Sequence, residues 1–285
     1  MQLLRPSSVA EAVAALGDGA RPLAGGTDLV PLVRERLVAA ETLVDVGGVV
    51  PRGVGLSGSE PRSPLRIGAG TTLAALEADD DVPAALREAC RLAASPQLRN
   101  VGTIGGNLLQ ATRCWYWRLD YPCRLHGGET CHARAGAHRE HAIFANDFCA
   151  SAHPSDPAAA LLALGATVRT ERRELRIDEL YRLPDASDRD VVTLASDELI
   201  LELDVPRPDA SVYLKAMDRK RWAFALVGVA AARVGAQTRL GLAGVAPVPW
   251  LLDGETALDG ATPLPGTAYK LELARALVRR ALAAL

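Results

Sequence analysis

The chain has 285 residues and a mass of 30.1 kDa; 49% of its residues are hydrophobic, 23% are charged, and the formal net charge is −2. That length suits one large domain or two to three small ones, and that balance can bury a core. The charge excludes a polybasic surface for nucleic acid or an anionic membrane, no run of about 18 apolar residues predicts a membrane span, and Met1–Pro6 lacks the apolar stretch of a signal peptide, so a cytoplasmic location is expected.

In chain order, Ser8-Val-Ala-Glu11 predicts a capping box opening a helix that stops at Gly17. Arg21-Pro22-Leu23 reads as a short strand feeding Ala24-Gly25-Gly26-Thr27-Asp28, and a helical pattern follows from Leu29 to Leu37. Thr42 to Val46 reads as the next buried strand. Residues 51–64 hold three prolines and three glycines and read as a loop or boundary. Leu65 to Ala69 reads as a strand and Thr72 to Glu77 as a short helix, while Pro83 starts another that runs from Ala84 to Ala94. Val101-Gly-Thr-Ile-Gly-Gly-Asn107 is a second glycine-rich turn. Residues 111–150 are rich in Arg, His, Gly and aromatics with little periodicity, so they read as a long insert organised by something other than a core. Ser155-Asp156-Pro157 caps a helix from Ala158 to Leu164 that ends at Gly165. Ala166 to Thr170, Leu199 to Val205, Phe224 to Val234 and Arg239 to Val245 read as strands, and Tyr269 to Leu285 as a closing helix. The mixture is α+β, with a boundary near residue 178.

Gly53-Val-Gly55-Leu-Ser-Gly58 fits the dinucleotide pattern G-x-G-x-x-G, but Ser59-Glu-Pro61-Arg-Ser-Pro64 follows and cannot open the helix the pattern needs; a plain loop is read there. Ala24–Asp28 is better placed, between a strand and a helix. Paired glycines let backbone amides approach a diphosphate, and Thr27 adds a hydroxyl. Thr103-Ile-Gly105-Gly106-Asn107 repeats that logic, and two such turns could clamp one diphosphate from both sides. Alone, either turn reads equally well as a tight turn. Ser155 and Asp156 read as a helix cap or as partners for ligand hydroxyls. The basic run Lys215 to Trp222 reads as a solvated face or as a cation beside a cofactor that becomes anionic.

Of five cysteines, four crowd into one stretch: Cys114, Cys123, Cys131 and Cys149. Cys90 lies in an apolar helical pattern and reads as a small core residue. The long, irregular spacings of the four differ from the close pairs of structural zinc sites and suit an iron–sulfur cluster. His126, His132, His138 and His141 in the same segment keep zinc open, and unpaired thiols are the third reading. The segment is expected over the N-terminal domain, because the second glycine turn ends just before it.

Pro22-Leu-Ala-Gly-Gly-Thr-Asp-Leu29, Val101 to Asn107, His153-Pro-Ser-Asp156 and Tyr213-Leu-Lys-Ala-Met-Asp-Arg219, in that order, resemble the FAD-binding medium subunits of molybdenum hydroxylases, the xanthine dehydrogenase and carbon monoxide dehydrogenase family. The resemblance covers nearly the whole chain. Arg113-Cys-Trp-Tyr-Trp117, His141-Ala-Ile-Phe144 and Cys149 are similar to the branch containing periplasmic aldehyde oxidoreductase and 4-hydroxybenzoyl-CoA reductase, whose flavin subunits carry an extra 4Fe–4S cluster.

The resemblance implies an α+β fold: an FAD-binding, vanillyl-alcohol-oxidase-like (PCMH-type) domain of two α/β subdomains over residues 1–177, with the cluster insert at about 111–150, and a C-terminal α+β flavoprotein domain of the carbon monoxide dehydrogenase type over 178–285. It implies that Leu23, Ala24, Gly25, Gly26, Thr27, Asp28 and Leu29, with Thr103, Gly105, Gly106 and Asn107, hold the diphosphate of FAD. It sets Ser155 and Asp156 near the ribityl or diphosphate region, Leu199 and Ile200 near the isoalloxazine, and Lys215 near its N1/O2 edge. Cys114, Cys123, Cys131 and Cys149 would each ligate one iron of a 4Fe–4S cluster. No residue is expected to be catalytic. The implied function is electron transfer from a partner's molybdenum and 2Fe–2S centres through FAD to an external acceptor. The implied partners are a molybdopterin-containing large subunit and a 2Fe–2S small subunit. Trp222 departs from the family pattern, since some relatives carry acidic residues there. A stand-alone FAD-dependent oxidoreductase and a zinc-stabilised binding module are the competing readings.

Overall fold

The computed structural model describes residues 1–60 and 62–285; Pro61, in the loop after the rejected dinucleotide pattern, lies outside them. The first unit is a parallel run of β1 (Gln2–Leu4), α1 (Val9–Ala14), β2 (Ala20–Leu23), α2 (Leu29–Arg34) and β3 (Thr42–Asp45), with sheet order β1-β3-β2. Parallel neighbours need crossovers, which the two helices supply. Ser8 caps α1 by accepting from the Glu11 amide at 3.1 Å, but the Glu11 carboxylate reaches back to Ser7 rather than Ser8. The helix expected to reach Leu37 stops at Arg34, where Arg36 turns left-handed at φ 61°.

The second unit holds β4 (Val54–Leu56), β5 (Leu65–Gly68), α3 (Leu73–Ala78), α4 (Ala84–Leu92), α5 (Pro96–Arg99) and α6 (Ile104–Leu108). The insert follows, with two single turns, α7 (Trp115–Arg118) and α8 (His132–Ala135). Then come α9 (Asp156–Leu164), β6 (Thr167–Thr170), β7 (Glu174–Arg176) and β8 (Ile200–Val205). The sheet order is β4-β5-β8-β6-β7, so β8 pairs with β5 on one side and β6 on the other. A boundary near residue 178 therefore falls inside this sheet, whose last strand ends at Val205. Pairing across that sequence distance leaves no local signal.

The third unit is the antiparallel sheet of β9 (Ala210–Ala216), β10 (Val227–Val234), β11 (Gln237–Ala243) and β12 (Trp250–Leu252), closed by α10 (Tyr269–Ala283). Both faces of β10 are covered. Val227, Val229 and Ala231 join the α10 core, while Ala230 and Ala232 join the core that contains α9. The strand expected from Phe224 begins only at Val227. Trp222 takes φ 56°, and Phe224 stays 47% exposed in the loop before it.

α9 is buried at all nine residues, as a helix apolar on every side must be. Ser155 caps it by accepting from the Ala158 amide at 3.0 Å, and Gly165 ends it at φ 69°. It packs on β11 so closely that a Cβ on Gly241 would stand 2.2 Å from Ala159 O.

The insert does not lie over the N-terminal domain alone. Its end docks on the third unit: the Ile143 and Phe144 amides donate to Val245 O, and both side chains join the α10 core. Lys270 of α10, wholly buried, donates to Glu140 O, His141 O and Gly244 O at 2.7–2.9 Å. Among the described residues no helix is long and apolar enough to cross a membrane.

Candidate cofactor site

Between β2 and α2, residues 24–28 form the first glycine turn. A Cβ on Gly25 would stand 2.1 Å from Val101 O, and Gly26 takes φ 67°. Only glycine meets these two demands without strain. The amides of Gly25, Gly26, Thr27 and Asp28 donate to no acceptor among the described residues. Four consecutive free N–H donors form an anion cradle.

The second turn is built differently. Its Ile104 and Gly105 amides are already spent on Thr71 O and Ala69 O, and Thr103 caps α6 by accepting from the Gly106 amide at 3.2 Å. A Cβ on Gly106 would meet only Thr103 Oγ1, at 3.1 Å. The first turn thus supplies donors and the second a wall with room in front of it.

Two cavity lobes meet at these turns and share Thr27, Asp28, Thr103, Gly106 and Gln110. One, of about 340 Å³, has Leu32, Val46, Val50, Leu199 and Ile200 in its walls. The other, of about 270 Å³, is lined by Asn107, Asp156, Lys215 and Phe224 among others. Leu199 and Ile200 line the first lobe and Lys215 the second. Leu23, the last residue of β2, touches Gly26, while Ala24 and Leu29 line the first lobe. Ser155 lies behind the wall, donating its Oγ to Asn107 Oδ1 at 2.6 Å.

Asp156 is buried and fully engaged. It accepts from Tyr213 Oη at 2.5 Å and from Lys215 Nζ at 2.7 Å; Lys215 also donates to Leu92 O at 2.9 Å. Burial and the neighbouring Asp156 carboxylate push the Tyr213 hydroxyl well above its ordinary pKa, so it stays a donor. A Cβ on Gly228 of β10 would collide with that hydroxyl, 2.1 Å away. Tyr213 was not among the expected site residues. Its signal was its position two residues before Lys215, on the same face of one strand.

Asp28 was also missed as a hub. Its carboxylate accepts from the Ala111 amide at 2.8 Å, from Arg113 at 2.9 Å and from Arg118 at 3.0 Å. Nothing in the spacing foretold those partners. Arg113 also stacks on Phe224, 4.9 Å from the ring centre, in a wall shared by the second lobe and a further cavity of about 350 Å³ that reaches Cys114 and His141.

All five cysteines are free thiols. Cys90 is buried in α4 with its pKa pushed far up by burial, which fits a core residue. The other four share one neighbourhood. Burial raises the Cys114 thiol, the Trp117 and Tyr116 amides pull it back, and charge on Cys131 and Cys123 raises it again. Burial pushes Cys149 up to about 12, with Cys131 and Cys114 adding to the rise. Cys114, Cys123 and Cys131 each precede a short helical turn. His141 Nε2 lies 3.2 Å from Cys114 Sγ, and burial lowers that imidazole to about 4. Among the described residues, no three His, Cys, Asp or Glu side chains converge closely enough to hold a single metal ion.

Residues 1–208 match the family described as the FAD binding domain in molybdopterin dehydrogenase. The chain belongs to that family. It is 34% identical over 294 residues to the aldehyde oxidoreductase FAD-binding subunit PaoB of Escherichia coli (strain K12), covering 93% of this chain and 91% of the relative. It is 46% identical over 112 residues to the carbon monoxide dehydrogenase medium chain of Afipia carboxidovorans, 36% of this chain and 37% of that one. A chain of carbon monoxide dehydrogenase from Hydrogenophaga pseudoflava superposes over 100% of this chain and 96% of its own length, with TM-score 0.71 and 26% identity. The mixed α/β architecture is thus that of this family of flavin subunits, and FAD is the cofactor of the matched domain.

Proposed function

We propose that the chain is the FAD-binding, electron-transfer subunit of a molybdenum-dependent hydroxylase or dehydrogenase. The observation that carries this reading is the cradle of four unpaired amides, opening between two lobes of one cavity. The amides of Gly25 to Asp28 would bind the diphosphate. Apolar walls at Leu32, Val46, Val50, Leu199 and Ile200 suit the flat adenine. The lobe with Asn107, Asp156, Lys215 and Phe224 suits the isoalloxazine, which has an aromatic body and a polar edge. Bound FAD supplies reversible electron chemistry, and the protein's part is to hold and orient it and exclude water.

The four clustered cysteines would hold a 4Fe–4S cluster. Their shared neighbourhood, their free thiols and the helical-turn amides behind Cys114 support this, since a four-iron cube separates its ligands more widely than one ion does. The partners in this reading are a molybdopterin-containing large subunit and a 2Fe–2S small subunit; that relatives are named an FAD-binding subunit and a medium chain supports the presence of partner chains. Electrons would enter from those partners and leave to an external acceptor.

The test is the flavin, iron, zinc and acid-labile sulfide content of anaerobically purified protein. One FAD and about four irons with matching sulfide are expected. One zinc without sulfide would remove the cluster from the proposal. Gly106→Glu puts a carboxylate where only Thr103 Oγ1 is near, so FAD should be lost from a chain that still folds. Stoichiometric FAD in that variant would overturn the cradle assignment.

A further inference from the structure

We infer that Asp28 is a positioning residue that couples occupancy of the FAD cradle to the order of the cysteine segment. The inference rests on the FAD reading above. Asp28 closes the row of free amides and lines both cavity lobes that meet there. A bare carboxylate there would repel the ligand. The carboxylate is not bare, because it accepts from the Ala111 amide, Arg113 and Arg118 at 2.8, 2.9 and 3.0 Å. All three donors belong to the first residues of the insert that carries Cys114.

The sign of the coupling follows from charge. With the segment docked, two guanidiniums offset one carboxylate, and the local balance becomes positive. With the segment undocked, the balance beside the cradle is negative. The diphosphate therefore favours the docked state, and by linkage the docked segment raises FAD affinity by the same factor. Arg118 strengthens the junction by also donating to Thr112 O at 2.8 Å and Ala111 O at 3.2 Å, which fixes the backbone leading into Cys114. Arg113 Nε is buried without a partner, so the junction still has a donor in reserve for a ligand.

The test uses the full chain and reads hydrogen exchange at residues 111–118 with and without FAD, together with FAD affinity. In the natural chain, FAD should slow exchange there on the order of tenfold. Asp28→Asn should still bind FAD but lose that protection. Arg118→Gln, which leaves the Ala111 and Arg113 contacts in place, should weaken FAD on the order of tenfold, because it removes one of the two guanidiniums and takes the local balance from positive to neutral. Combining Asp28→Asn with Arg118→Gln should restore affinity, which a merely structural ion pair would not do. Equal protection in Asp28→Asn, or no rescue in the double variant, would overturn the coupling. Failure of the natural chain to take up FAD would instead remove the functional reading, and the coupling with it.

Discussion

Lys215 reads from sequence as a cation beside the ring, but its ammonium is matched by Asp156 in a pair that is almost wholly buried. Lys215 thereby compensates a carboxylate that would otherwise be buried unpaired. Lys215→Met leaves the Asp156 carboxylate buried with only the Tyr213 hydroxyl. It should cost about 3 kcal/mol, measured by urea unfolding. Adding Asp156→Asn should recover part of that loss; strictly additive effects would show that the pair is not coupled. Lys270 gives a pH prediction. Burial pulls its pKa down to about 7 from 10.5, so between those values the unfolded chain binds more protons than the folded one. Stability from this residue therefore rises with pH from about 7 upward and is lost as pH falls back toward 7. The stability difference between the natural chain and Lys270→Met should widen in favour of the natural chain over that window. A flat difference would mean the lysine titrates normally.

At the scale of elements, α9 holds the molecule together, since it carries Asp156 at its start and is packed between the sheet of β10, β11 and β12 and the helices α4 and α6. Its composition, Asp156 followed by proline, alanines and leucines, declares a buried helix, and Ser155 and Gly165 mark its ends. The β11 glycine it lies on declares nothing by itself. Gly241→Ala forces a methyl toward Ala159 O and should destabilise the fold by about 1–3 kcal/mol, seen as a lower melting temperature with little change in secondary structure. An unchanged melting temperature would mean that α9 can lift from the sheet freely. The strand expected from Phe224 shows the opposite case. Apolar residues there extend the pattern of β10, yet the left-handed turn at Trp222 keeps Phe224 out of the strand and in a cavity wall.

Across the whole molecule the cysteine insert is a bridge. It starts on the first glycine turn through Asp28 and ends in the third unit through Ile143, Phe144 and Lys270. With few elements of its own, its order depends on those two anchors and on whatever the thiols bind. Cys131→Ser should release residues 111–150 to protease, while Cys90→Ser, in the α4 core, should not. Cys90 should also resist alkylation in the native state, because burial holds its thiol protonated. Rapid alkylation of Cys90 at neutral pH would contradict that placement.

Local chemistry was enough to read the caps at Ser8 and Ser155, the two glycine turns, the cysteine segment and most helices, because each rests on neighbours within a few residues. Tertiary structure alone decided the rest. The place of β8 between β5 and β6 depends on pairing across more than a hundred residues. The engagement of Lys215 by Asp156, the gathering of Ala111, Arg113 and Arg118 on Asp28, and the separation of Leu199 and Ile200 from Lys215 depend on which surfaces meet once the cores have packed. Charge pairs and cavity walls are set by that meeting, and no spacing along the chain encodes it.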